Sequence, residues 1–111
     1  MEDIVESSSL AGAMNALWDR FLPEMESRVA VLESAAEAMR AGHLLSGLRD
    51  DAHAAAHKLA GVLGTFGLTQ GTLLARELET MYSQEDGRLS LDAERLTEMA
   101  AELRGIVTGR K

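Results

Sequence analysis

The chain carries three histidines, His43, His53 and His57, and no cysteine. Without a thiol there is no disulfide, thiolate nucleophile, iron–sulfur cluster or cysteine-bound zinc. The imidazoles remain, each able to act as nucleophile, general base or metal ligand. Two of them sit in the segment Asp51-Ala-His53-Ala-Ala-Ala-His57-Lys58-Leu59-Ala60-Gly61-Val62-Leu63-Gly64-Thr65-Phe66-Gly67, whose apolar residues recur with helical period. With His57 at zero and about 100° per residue, Leu48, Ala52, Ala55, Leu59, Val62 and Phe66 all fall within roughly 40° of the opposite pole. They form a core stripe, so the spacing predicts that His57 points into water. Within roughly 60° of His57 lie His53, Ala54, Ala60, Gly61 and Gly64, mostly the smallest residues available. A glycine inside a helix costs about 1 kcal/mol relative to alanine. Two on one exposed face imply that the empty space is used, and close approach by another protein's active site is the simplest use.

General base catalysis needs a substrate pocket, and a convex face of alanine and glycine offers none. His53 and His57 have the i,i+4 spacing of metal ligands, which makes zinc or nickel binding the rival chemistry. The residues between them are alanines, no glutamate follows His53, and no third ligand is evident. His43 falls in a loop. What remains for a lone exposed imidazole is to carry a group that a partner delivers and removes. Phosphoryl is the natural candidate, because neutral imidazole attacks phosphorus and the N–P bond is labile enough to pass the group on.

The run His57-Lys58-Leu59-Ala60-Gly61-Val62-Leu63-Gly64-Thr65-Phe66-Gly67 resembles the signature of the histidine phosphotransfer (HPt) domains of bacterial two-component phosphorelays. That signature has an apolar residue two after the histidine, a lysine three after, a glycine four after, a small residue seven after and a glycine ten after. Leu59, Gly61, Gly64 and Gly67 stand at the matching places, and Leu74, Ala75, Leu78 and Glu79 resemble the family's next helix. The lysine is missing: Ala60 stands there, and Lys58 is the nearest cation and the candidate phosphate stabiliser. The resemblance implies an antiparallel four-helix bundle in which His57 is the phosphoacceptor, through Nε2, with Gly61 and Gly64 providing clearance. His53, Ala54, Ala60, Gly61 and Gly64 would form the docking face. It implies a phosphohistidine intermediate with no ATP binding and no kinase activity of its own. No cofactor is expected, magnesium belonging to the partner receiver domain. The implied partners are response-regulator receiver domains and a hybrid sensor histidine kinase. Two other readings fit the same residues: a helical protein-interaction module that is never phosphorylated, and a His53/His57 metal-binding bundle.

The elements that must hold this face are legible in the composition. At 111 residues the chain is one domain, able to bury roughly two-thirds of its unfolded surface. Its apolar supply is mostly Ala, Leu and Met, and only four residues are aromatic, which favours an all-α fold. Ser8 or Ser9 is expected to cap a short leader helix over residues 1–22, with Leu10, Met14, Leu17, Trp18 and Phe21 at helical spacing. Pro23 fits the first turn of a second helix running to about Arg40, with Met25, Val29, Leu32, Ala36 and Met39 inward and Gly42 as its stop. A third helix follows from Leu45 or Gly47, capped by Ser46 with Asp50 and Asp51 near its first turn, to about Phe66. A fourth, capped by Thr69, runs to about Tyr82 with Leu73, Leu74, Leu78 and Met81 inward. After a turn over residues 83–87, Ser90 is expected to cap a last helix carrying Leu91, Leu96, Met99, Leu103 and Ile106. Short connections predict an up-down four-helix bundle over residues 23–108, with the leader covering one end. The formal net charge of −7 argues against nucleic acid and anionic membrane as partners. No apolar run spans a bilayer, and the acidic N-terminus is unlike a secretory signal, so a cytoplasmic monomer is the simplest expectation.

Overall fold

The computed structural model describes residues 2–83 and 92–109, with side chains from residue 10 onward. Four α-helices make up these residues: α1 (Glu2–Arg40), α2 (Ser46–Thr65), α3 (Thr69–Ser83) and α4 (Ala93–Gly109). Each packs against its neighbours in chain order, and α4 returns to α1. Adjacent helices are antiparallel. His57 of α2 meets Glu79 of α3, while Arg40 and Arg104 reach Thr97 and Glu33 across the α1–α4 seam in opposite chain order.

No separate leader helix exists. α1 runs unbroken through Pro23, and the 58 Å length of the molecule is that of a straight 39-residue helix rising about 1.5 Å per residue. A proline inside a helix removes one hydrogen bond and crowds the carbonyl four residues earlier, at a cost of about 3 kcal/mol. Two features offset it. Asp19 and Pro23 are both exposed, so water can take the freed carbonyl. Trp18 and Met25, on either side, are 3% and 0% exposed on one continuous stripe. Breaking the helix at Pro23 would unseat one of them. The Trp18 ring meets the Phe66 ring edge-on at 5.0 Å between centroids, and Phe21 also meets the Phe66 ring, at 6.4 Å.

The turns are set by glycine. Gly42 (φ 82°) and Gly67 (φ 71°) are in the left-handed region that closes a helix C-terminus. After α1, the amides of Gly42 and His43 return to the carbonyls of Met39 and Ala38. After α2, those of Gly67 and Leu68 return to Gly64 and Leu63. The expected N-caps differ. Leu45, extended at φ −81° and ψ 157°, precedes α2 without a side-chain cap, so Ser46 begins the helix and the first turn holds no acid. Leu68, not Thr69, occupies the cap position of α3, its carbonyl accepting from the Thr72 amide. Asp92 caps α4, its Oδ1 accepting from the amides of Glu94 and Arg95 at 3.0 and 3.4 Å. Ser8, Ser9, Ser90, Leu91 and all of the expected 83–87 turn except Ser83, the last residue of α3, lie outside the residues whose side chains or backbone are described.

The core is a single cluster in which Met25, Val29, Leu32, Leu59, Leu63, Leu78, Leu96, Met99, Leu103 and Val107 are completely enclosed. Leu73, expected inward, is 58% exposed, and Val107 is buried where Ile106 is only half-buried. Gly71 lets α3 approach closely: a Cβ there would come within 3.0 Å of Leu63 Cδ1 and 3.2 Å of Ile106 Cγ2.

Candidate functional site

The core stripe of α2 is buried as its period requires, with Ala52, Ala55 and Leu59 enclosed and Leu48, Val62 and Phe66 half-buried. The opposite face therefore carries His57 outward, its side chain 71% exposed. Gly61 beside it faces open space. A Cβ at Gly64 would only touch Thr72, at an ordinary 3.8 Å. Neither glycine is demanded by the packing of the chain itself. Ala54 and Lys58 are exposed, and His53 is half-buried. Ala60 departs from the expected open face: at 5% exposure it is enclosed, so it is no part of an accessible surface. The physical reason is the position of α3, which covers one flank of α2.

That flank supplies a contact the sequence reading did not assign. His57 Nδ1 lies 2.8 Å from Glu79 Oε2 of α3. An ionised carboxylate only accepts, so the bond requires a proton on Nδ1. The neutral ring then carries its lone pair on Nε2, the nitrogen turned away from Glu79. The glutamate side chain is 27% exposed, partly withdrawn from water, which strengthens its hold on the ring. A signal for this pairing was present in the chain. The turn at Gly67-Leu68 folds α3 back on α2, and residues equidistant from it face each other: 57 with 79, 64 with 72.

His53, one turn before His57, lines a cavity of about 310 Å³ with Ser46, Arg49, Asp50, Tyr82 and Ser83. Arg49 Nε donates to the Tyr82 carbonyl at 3.1 Å, satisfying one of the open carbonyls at the end of α3. Burial pushes the Tyr82 phenol up to about 12, against the nearby charge of Arg49, which pulls it down. Among the described residues no group of three or more His, Asp or Glu side chains is assembled to hold a metal ion. The His53/His57 pair thus gains no third ligand among them.

The bundle thus displays His57, exposed and bonded through Nδ1 to Glu79, beside the open Gly61 position. The Hpt domain model matches residues 16–109, and the chain belongs to that family, whose members carry out histidine phosphotransfer in phosphorelays and interact with receiver domains. The chain is also similar to protein RcaC of Microchaete diplosiphon, 35% identical over 66 residues. That stretch is 60% of this chain but only 10% of the relative's length. No solved structure matches. No helix among the described residues is long and apolar enough to cross a membrane.

Proposed function

We propose that His57 is the phosphoacceptor of this Hpt domain, taking a phosphoryl group from the aspartate of one receiver domain, or of a hybrid sensor kinase, and passing it to the aspartate of another. The observation that carries this reading is the 71% exposed imidazole with Nδ1 held by Glu79 at 2.8 Å. The Nε2 lone pair forms the N–P bond as the bond from phosphorus to the aspartyl oxygen breaks, and that oxygen leaves with the electron pair as a carboxylate. No proton has to move, because Nδ1 keeps its own. The ring becomes cationic as the bond forms, and the Glu79 carboxylate balances that charge where it develops. The reverse step, on a second receiver, returns the lone pair to Nε2.

Catalysis on this side is positioning. The rigid α2–α3 pair fixes the height and tilt of the ring, and the open Gly61 position lets a receiver bring its aspartate and magnesium in line. The docking surface comprises His53, Ala54, Gly61 and Gly64 around His57. Incubation with an acetyl-phosphate-charged receiver followed by intact-mass measurement tests the reading. The wild-type chain gains one phosphoryl group and His57→Gln gains none. A gain that persists in His57→Gln overturns it.

A further inference from the structure

A phosphoryl group on Nε2 brings about two negative charges. They arrive across the ring from the Glu79 carboxylate, on a chain whose formal net charge is already −7. A cation within reach would relieve this repulsion, so the arrangement of cations around His57 is informative. Among the described residues, Arg28, Arg95 and Arg104 are paired with glutamates, and Arg40 and Arg49 donate to Thr97 and to the Tyr82 carbonyl. Arg20, Lys58 and Arg76, all exposed, have no such partner, and the last two lie on α2 and α3, the helices that carry His57 and Glu79.

The two lie on opposite sides of the ring. The residues of α2 that meet α3, among them Ala60 and Gly64, lie to one side of His57 around the helix, and Lys58 lies to the other, about 160° from Ala60. Glu79 draws the imidazole toward the α3 side. With 57 opposite 79 and 64 opposite 72, residue 60 lies opposite 76. Arg76 is therefore one turn from Glu79, on the stripe of α3 that also carries Thr72. The residue facing it across the groove, Ala60, ends in a buried methyl that leaves the way clear. One helical turn is about 5.4 Å, a span an arginine stem covers.

We propose that Arg76 is the cationic partner of the phosphoryl group on His57, its guanidinium reaching along the α2–α3 groove to the phosphoryl oxygens. This rests on His57 being the phosphoacceptor. Lys58, on the far flank, does not fill that place. A guanidinium suits the task because its planar fork of N–H groups matches phosphoryl oxygens and its charge does not titrate.

The test uses the isolated chain charged with phosphoramidate, so that no receiver contributes to binding, and follows the phosphohistidine resonance by phosphorus NMR as a function of pH. A neighbouring cation favours the more negative form of the phosphoryl group and lowers its pKa. Arg76→Gln should raise the titration midpoint by about half a pH unit and shorten the phosphohistidine lifetime several-fold. Arg76→Lys should restore most of both, and Lys58→Gln should move neither. Arg76 is exposed, so the variants keep the fold, which circular dichroism verifies. An unchanged midpoint and lifetime in Arg76→Gln, or changes confined to Lys58→Gln, overturns the assignment to Arg76 and leaves the phosphoacceptor reading intact. A wild-type chain that takes no phosphoryl on His57 overturns both.

Discussion

At the scale of single residues, the chemistry depends on how one ring is held. If His57 is the phosphoacceptor, the Nδ1···Glu79 bond of 2.8 Å fixes the tautomer and supplies the charge that the cationic phosphoimidazole needs. Those contributions separate by mutation. Glu79→Gln keeps an acceptor for Nδ1–H and loses the charge, whereas Glu79→Ala loses both. Phosphorylation by a charged receiver, followed by quenched-flow, should slow by about tenfold in Glu79→Gln and further in Glu79→Ala. Equal rates in all three proteins would show that the bond plays no part. The outward direction of His57 was legible in the sequence because it follows from the period of one helix. The Glu79 contact does not follow from that period alone: it also needs the centre of the α2–α3 turn at Gly67-Leu68, from which residues 57 and 79 are equidistant. Burial of Ala60 escaped for the same reason, since a wheel drawn for one helix does not show where its neighbour lies.

At the scale of elements, the glycines divide into two kinds. Gly71 is required by the fold, and Gly71→Ala should cost about 1–3 kcal/mol because Leu63 and Ile106 must move. Gly61 faces open space, and Gly64 only an ordinary contact with Thr72. Alanine at either should stabilise the chain by up to about 1 kcal/mol while slowing transfer from a receiver. Paired melting and transfer measurements check this. A Gly61→Ala protein that is more stable and fully active would remove the case for clearance. Pro23 carries a related lesson. The local rule places proline in a first turn, yet the stripe from Trp18 to Met25 holds α1 together through it. Pro23→Ala restores a backbone donor in a continuous helix and should raise the unfolding free energy by about 1–3 kcal/mol in denaturant titrations. Ser46 and Thr69 were misjudged as caps for a comparable reason. The glycine-closed turns before α2 and α3 fix where each helix starts, and leucines fall at the cap positions.

At the scale of the whole molecule, the four-helix arrangement was legible from helical period and short connections, while the length of α1 was not. Its residues 10–17 are exposed or half-buried, and Trp18 is the first that is enclosed. Alkaline stability reports on the opposite end of the bundle. The native phenol of Tyr82 titrates at about 12, above its ordinary 10.0. Its burial in neutral form therefore stabilises the fold fully below about pH 10, and this contribution is lost as pH rises toward 12. Tyr82→Phe removes a buried hydroxyl that has no hydrogen-bond partner among the described residues and should keep the stability seen at about pH 8 while losing that part of the decline. Denaturation midpoints at the two ends of the window decide it. The exposure of His57 also sets a limit in time. On the proposed role of His57, a phosphoryl group displayed on a convex helix face is open to water, so making the interior tighter would not prolong its stay. Its duration would be set at the surface, by the N–P bond and the charges around it, which suits the molecule to handing a signal on promptly and unsuits it to storing one.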